Sequence, residues 1–215
     1  MLYTLFHNEN YVVNNFLKIQ SIVWKGALCV YPDKEERKQN MLAVIFKVYV
    51  SRGLENTSMR NVAGELRINI SSLYDYFKSK EEMVIECAKF YMEQLKDKFS
   101  EEFAHIAPDL KTEVKNVFNI LVNEKRNLRF IYQVISSPMY GERGRAELER
   151  IYLEYMKYSD KLAAAYGIDP ERFEEAFLLF IATVHDFCLW DNEDFVNKKL
   201  KCIYYLIDKE LCLNE

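Results

Sequence analysis

From residue 34 onward, apolar residues recur every three or four positions, which is the period of a helix that buries one side. The stretch 57–83 carries the most information. Ser58 stands just before an apolar series, where its hydroxyl can accept a hydrogen bond from a backbone N–H of the first helical turn. This stretch therefore predicts a short, capped helix. The apolar residues of that helix are Met59, Val62, Ala63 and Leu66.

A second short helix is predicted within a few residues of the first. Asn69 can cap it, and Ser79 with Glu82 forms a capping box for a third helix. A helix, a tight turn and a short helix with outward polar side chains predict a helix-turn-helix, which places its second helix in the major groove of DNA. The apolar residues of the second helix are Ile70, Leu73 and Phe77. Its polar residues are Ser71, Ser72, Tyr74, Asp75 and Tyr76.

The flanking patterns predict three segments. Residues 1–33 have no clear period and form an N-terminal extension of unknown role. A helix from residue 34 to 51 joins the motif in a three-helix DNA-binding domain at residues 34–83. A long helix from Ser79 to about residue 103 leads into a larger helical domain at residues 84–215. Because no strand pattern occurs, the predicted fold class is all-α.

The larger domain ends in two long helices with apolar faces, predicted at residues 170–190 and 194–211. Such a pair can form a four-helix bundle with the same helices of a second chain, or it can close the core of the monomer. The pattern alone leaves both arrangements open. Between residues 138 and 144 the helical period is weakest, which predicts a loop there.

Composition refines this picture. The net charge is −4, which argues against general binding of polyanions, but residues 34–83 carry two more basic than acidic residues. The excess fits local contact with DNA. The five cysteines form no Cys-x-x-Cys pair. They are expected to be small buried residues in a reducing cytoplasm, with a redox-sensing thiol as the alternative. No run approaches the roughly 20 apolar residues of a membrane span, so a cytoplasmic location is expected.

Nothing in the sequence predicts catalysis. The histidines His7, His105 and His185 lie far apart, and no nucleophile context, phosphate-binding glycine loop or metal-ligand spacing accompanies them. His185 and Asp186 are adjacent and could form an acid-base pair, but a buried or half-buried histidine is the better explanation. We therefore expect a protein that is not an enzyme and that needs no metal or cofactor.

Two motifs resemble the N-terminal domain of TetR-type transcriptional regulators. They are G-x-x-x-T-S-M-x-x-V-A from Gly53 and L-Y-x-Y-F-x-S-K-E from Leu73, and the similarity extends over about residues 37–90. The resemblance implies an all-helical homodimer that represses transcription from a palindromic double-stranded operator. It also implies that the C-terminal domain binds a small-molecule effector and dimerises through about residues 170–211.

The resemblance also implies positions for the DNA contacts. It places Thr57, Ser58, Arg60, Tyr74, Tyr76 and Lys80 near phosphates or the groove edge, and Ile70, Ser71, Ser72 and Asp75 toward the bases. In the larger domain, several aromatic residues and one histidine are candidates for an effector pocket. For any single one of them a place in the core is the better explanation, but the resemblance implies that some of them line a pocket. The candidates are Tyr132, Tyr140, Tyr152, Tyr155, Phe177, Phe180 and His185.

Three residues depart from the family pattern. Arg67 and Ser71 stand where glycine is usual, and a residue other than glycine in a left-handed turn costs on the order of 1 kcal/mol. Asp75 can accept a hydrogen bond from cytosine N4, but its charge repels phosphate. Arg67, Asp75 and the unexplained extension at residues 1–33 motivate an alternative hypothesis, in which a helical dimer binds a ligand or a protein and has lost specific operator binding.

Overall fold

The computed structural model describes residues 33–102, 104–190 and 192–211. Within these residues the chain forms α-helices and no strand, which confirms the all-α prediction. The helices are α1 (Lys34–Arg52), α2 (Met59–Leu66), α3 (Ile70–Tyr74), α4 (Lys80–Glu102), α5 (Leu110–Asn123), α6 (Lys125–Ser136), α7 (Gly141–Tyr166), α8 (Pro170–Trp190) and α9 (Glu193–Leu206). A π-helical turn, Ile207–Leu211, follows α9. The predicted extension at residues 1–33 lies almost entirely outside the described residues.

The described residues from residue 38 onward pack as one unit with a continuous hydrophobic core. An aromatic cluster connects α1 and α6 within this unit, because Phe130 of α6 contacts two rings of α1. The Phe130 ring lies 5.4 Å from the Phe46 ring and 5.4 Å from the Tyr49 ring, and Phe46 stacks on Tyr91 of α4 at 4.8 Å. The first helix of the predicted DNA-binding domain is thus packed directly against α6. The proposed boundary at residue 83 remains a prediction.

A buried carboxylate holds α4 against the junction of α5 and α6. Glu124 accepts hydrogen bonds from the Tyr91 hydroxyl at 3.0 Å and the Asn127 amide at 2.7 Å, and it forms an ion pair with Lys98. Burial alone would raise the pKa of Glu124, but the bonds from Lys98, Asn127 and Tyr91 outweigh it and lower the pKa below its usual value. Glu124 is therefore charged and fully partnered at neutral pH.

The loop predicted at residues 138–144 is shorter than expected, because α7 begins at Gly141 rather than near residue 146. The turn between α6 and α7 is tight: Gly141 N–H donates to the Ser137 carbonyl at 2.8 Å, and a Cβ at Gly141 would lie 2.8 Å from the Ile135 carbonyl oxygen. A glycine is needed for this close approach, and it weakened the apolar period on which the prediction rested.

The cysteines only partly follow the expectation of burial. Cys87 and Cys188 are buried, and burial raises the pKa of both thiols, whereas Cys202 is exposed. Cys29 and Cys212 lie outside the described residues. Among the described residues, no helix is both long enough and apolar enough to span a bilayer.

Candidate nucleic-acid interface and ligand cavities

Helix α2 begins with the predicted cap. The Ser58 hydroxyl accepts a hydrogen bond from the Asn61 backbone N–H at 3.2 Å, and the Asn61 side-chain oxygen accepts one from the Ser58 N–H at 3.1 Å. This reciprocal pair is a capping box in which asparagine takes the place of the usual glutamate or glutamine. It defines where α2 starts and how its first turn is oriented.

The turn after α2 is left-handed in spite of its arginine. Arg67 has φ 54° and ψ 41°, and it is the only residue other than glycine with positive φ in the described part of the chain. Its N–H donates to the Gly64 carbonyl, and the Ile68 N–H donates to the Ala63 carbonyl, each at 3.1 Å. These bonds satisfy the last carbonyls of α2. The turn therefore keeps its usual form, and Arg67 carries the conformational cost.

Leu73 of α3 and Phe77, which follows the end of α3 at Tyr74, are both fully buried. Two further details differ from the prediction. The Asn69 side chain makes no capping hydrogen bond, although Asn69 occupies the N-cap position. Ile70 is 40% exposed rather than part of the buried face. The exposed residues of α3 and its C-cap are Ile70, Ser71, Tyr74 and Asp75, whereas Ser72 and Tyr76 are half-buried.

Two predicted contact residues instead bond to the loop between α1 and α2. Thr57 is fully buried, and its hydroxyl donates to the Gly53 carbonyl at 2.8 Å, so its side chain does not face outward. This corrects the expectation that the Thr57 side chain lies near phosphate. The half-buried Lys80 donates to the Leu54 carbonyl at 3.0 Å. An ammonium group has three donors, so Lys80 can still bind an anion.

The helix-turn-helix carries several exposed basic residues. Arg60 of α2, Arg67 of the turn and Lys78 after α3 are exposed, together with Asp75. Glu65 is held in an ion pair by Arg52, and the Glu82 carboxylate accepts a hydrogen bond from the Lys78 backbone N–H at 2.7 Å. Two of the nearby carboxylates thus have partners within the protein, which leaves Asp75 as the acidic group on the exposed face of α3.

Residues 41–87 match the family model described as bacterial regulatory proteins, tetR family. The matched residues include α2, the turn after it and α3. The chain is similar to the HTH-type transcriptional repressor KstR2 of Rhodococcus jostii (strain RHA1), with 34% identity over 68 residues, 32% of this chain and 33% of that protein. It is also similar to the HTH-type transcriptional regulator PksA of Bacillus subtilis (strain 168), with 28% identity over 69 residues, 32% of this chain and 34% of that protein.

These tetR-family relatives are matched over only about a third of their own length. A solved structure extends the comparison to the whole fold. The structure of a tetR-family transcriptional regulator from Mesorhizobium loti MAFF303099 matches with a TM-score of 0.62 and 16% identity, over 82% of this chain and 98% of that chain. At this identity the match shows the same fold, with an N-terminal helix-turn-helix and a helical C-terminal domain.

The predicted pocket residues do not meet in one site. Tyr132 and His185 line a half-open cleft of about 440 Å³. Phe177 and Phe180 line a separate cavity of about 40 Å³, whose walls are almost entirely apolar. Tyr140 is buried at the N-cap of α7.

Tyr155 is not among the residues that line either cavity. The Tyr155 hydroxyl donates to the Met92 carbonyl at 2.6 Å, and its ring meets Phe99 edge-on at 5.7 Å, which is a packing role. The side chain of Tyr152 lies outside the described part of the structure.

The sequence prediction missed five polar or charged residues at these cavities. Arg129, Gln133, Ser136 and Arg145 line the larger cleft, and Glu113 lines the smaller one. Glu113 is buried, and one of its carboxylate oxygens accepts the Ala107 N–H at 2.9 Å. In the sequence, each of these residues is indistinguishable from an ordinary polar residue on its own helix. The sequence therefore carries no signal that these residues line a cavity.

Proposed function

We propose that this protein is a transcriptional repressor that binds a palindromic DNA operator as a homodimer and releases it when a small molecule binds the C-terminal domain. One observation carries the proposal. Helix α3 is anchored by the buried Leu73 and Phe77, while its other side is exposed. A helix held in this way can enter the major groove while the hydrophobic core beneath it stays folded. A relative that is named a transcriptional repressor supports repression rather than activation.

The exposed side chains have distinct proposed roles. Ile70, Ser71 and Asp75 face the bases, with the half-buried Ser72 at the edge of this surface. The remaining contacts position the protein on the phosphate backbone and carry no base preference. The residues proposed for these backbone contacts are Ser58, Arg60, Tyr74, Tyr76 and Lys80.

Exposed apolar residues on α8 and α9 support the proposed homodimer. Leu178 is 45% exposed and Leu179 37% exposed, both on α8. Large apolar side chains that stay exposed on a single chain are suited to burial in a two-fold interface. Two recognition helices related by such an axis would read half-sites one or more turns apart, at roughly 34 Å per turn. Other large exposed apolar residues on these helices are Trp190, Phe195 and Tyr205.

The test is a selection of binding sites from random duplex DNA with the full chain, followed by a salt titration on the enriched sequence. We expect an inverted repeat and an affinity that falls steeply with salt. Arg60→Gln should weaken binding to all sequences and reduce the salt slope by about 0.9, the value for one phosphate contact. Arg60 suits this test because it is exposed.

Lys115→Gln is the matched control, because Lys115 is exposed on α5 of the C-terminal domain and the substitution removes the same charge. Its salt slope should equal that of the unmodified protein. Asp75→Asn should instead change the selected bases while leaving the slope nearly constant. If the selection enriches no inverted repeat, the alternative of a helical dimer without operator binding is favoured.

A further inference from the structure

The half-open cleft of about 440 Å³ lies between three helices of the C-terminal domain. Its volume falls in the range of roughly 300–1,000 Å³ that is usual for small-molecule sites. The cleft is lined by Arg129, Tyr132, Gln133, Ile135 and Ser136 of α6, Arg145 of α7, and His185 and Leu189 of α8. The cleft thus has enough volume for a small molecule, walls from three helices and several polar groups.

Two basic side chains line this cleft. They are the guanidinium groups of Arg129 and Arg145, and no carboxylate is among the described lining residues. Asp186, next in sequence to His185, is paired with Lys199 of α9 and is not a lining residue. Burial lowers the pKa of nearby Lys125, and the charge of Arg129 lowers it further. The positive charge of Arg129 is therefore felt by its neighbours.

Both guanidinium groups are held in place by backbone carbonyls. Arg145 donates from Nη1 to the Ile135 carbonyl at 2.7 Å, and Arg129 donates from Nε to the Cys188 carbonyl. These bonds connect α7 to α6 and α6 to α8. A guanidinium oriented in this way is well suited to bind a carboxylate or a phosphate, because little side-chain freedom is lost on binding.

Apolar and aromatic groups complete the walls. The Tyr132 ring meets the His185 ring edge-on at 4.5 Å between centroids, and Ile135 and Leu189 add aliphatic surface. An inorganic anion would leave this surface unused. An organic anion with an apolar body can contact both the guanidinium groups and the apolar walls.

We propose that this cleft binds an organic anion whose acidic group contacts Arg145 and Arg129 and whose apolar body packs against Tyr132 and Leu189. The location of the cleft on α6 connects ligand binding there to α1 of the predicted DNA-binding domain. Helix α6 presents Arg129 and Tyr132 to the cleft and packs Phe130 against Phe46 and Tyr49 of α1. That the occupant controls DNA binding rests on the proposed function, whereas its binding to the cleft does not.

The test is calorimetry and thermal unfolding of the full chain with four probes at millimolar concentrations. Octanoate and benzoate carry an anionic head and an apolar body, benzamide lacks the charge, and inorganic phosphate lacks the apolar body. We expect the two carboxylates to bind and to raise the melting temperature, since a ligand of the native state stabilises it. Benzamide should bind at least about tenfold more weakly than benzoate, which corresponds to loss of a charged hydrogen bond.

Arg145→Gln should weaken binding of the better carboxylate about tenfold, and Arg145→Lys should restore part of it. Arg150→Gln is the matched control, because Arg150 is exposed on the same helix but does not line the cleft. Gln133→Glu is a second variant at an exposed lining position, so folding should not be affected. The added carboxylate should abolish binding by repulsion.

The proposal is overturned if none of the anions binds, if benzamide binds as tightly as benzoate, or if Arg145→Gln and Gln133→Glu bind as the unmodified protein does. If phosphate binds as tightly as the carboxylates, the apolar part of the proposal is wrong. If the carboxylates bind in the cleft but leave affinity for the selected DNA unchanged, the site stands and the proposed effector control fails.

Discussion

Replacing Arg67 by glycine should stabilise the protein, although the change removes a large side chain. Arg67 ends α2 in the left-handed conformation, with φ 54° and ψ 41°. Its side chain is exposed, so its removal costs little packing. The backbone bonds that close the turn use N–H and carbonyl groups that glycine also has. The substitution therefore acts mainly on the backbone conformation.

The magnitude follows from two opposing effects. A residue with a Cβ in the left-handed region costs about 1–2 kcal/mol, because the Cβ approaches the following carbonyl. Glycine removes this cost but gives the unfolded chain more freedom, which costs about 0.5–1 kcal/mol. The expected net gain is about 0.5–1 kcal/mol. For a chain of this size, 1 kcal/mol corresponds to a rise in melting temperature of about 2–4 °C.

Urea unfolding followed by circular dichroism measures the gain as a shift in midpoint at unchanged slope. Arg67→Ala is the control, because it removes the guanidinium but keeps the Cβ. It should leave stability within about 0.5 kcal/mol of the unmodified protein. The reasoning is refuted if the glycine variant is no more stable than the alanine variant.

Three further predictions concern single side chains. Ser58→Ala should lower the free energy of unfolding by about 1 kcal/mol through loss of the N-cap bond, and an unchanged urea midpoint would contradict this. Tyr49→Phe should leave stability equal or raise it by up to about 1 kcal/mol, because the buried Tyr49 hydroxyl has no hydrogen-bond partner among the described residues; a clear loss in thermal unfolding would show otherwise. Glu124→Gln should lower stability at neutral pH but not in strong acid. The pKa of Glu124 is lowered in the folded state, so its contribution is present above the unfolded pKa of about 4.3 and is lost as the pH falls through the folded pKa. Urea midpoints from neutral to acidic pH should therefore change less in this variant than in the unmodified protein, and parallel curves would contradict the assignment.

The DNA-binding domain was predictable because its signals are local. A cap such as Ser58 acts on Asn61 three residues away, and the turn at Arg67 is closed by bonds that reach back no further than five residues to Ala63. Helical periodicity likewise compares residues three or four apart. The incorrect prediction for Thr57 shows where local signals fail. The sequence around a threonine before a helix is the same whether its hydroxyl faces solvent or the Gly53 carbonyl.

The cleft could not be predicted in the same way. Arg129, Arg145 and His185 belong to three helices and are separated by tens of residues, so their proximity depends on how α6, α7 and α8 pack. No local pattern distinguishes them from other exposed polar positions. The predicted pocket residues share only their residue type, and those whose side chains are described lie in a cleft, a cavity and the core.

The sequence by itself determined the helical class, the caps and the helix-turn-helix, because hydrogen bonds within a few residues and a repeat of 3.6 specify them. The tertiary structure alone decided that Thr57 is buried, that α7 begins at Gly141 and that two arginines share one cleft. These features depend on contacts between distant segments, and such contacts arise only when whole helix faces pack against each other.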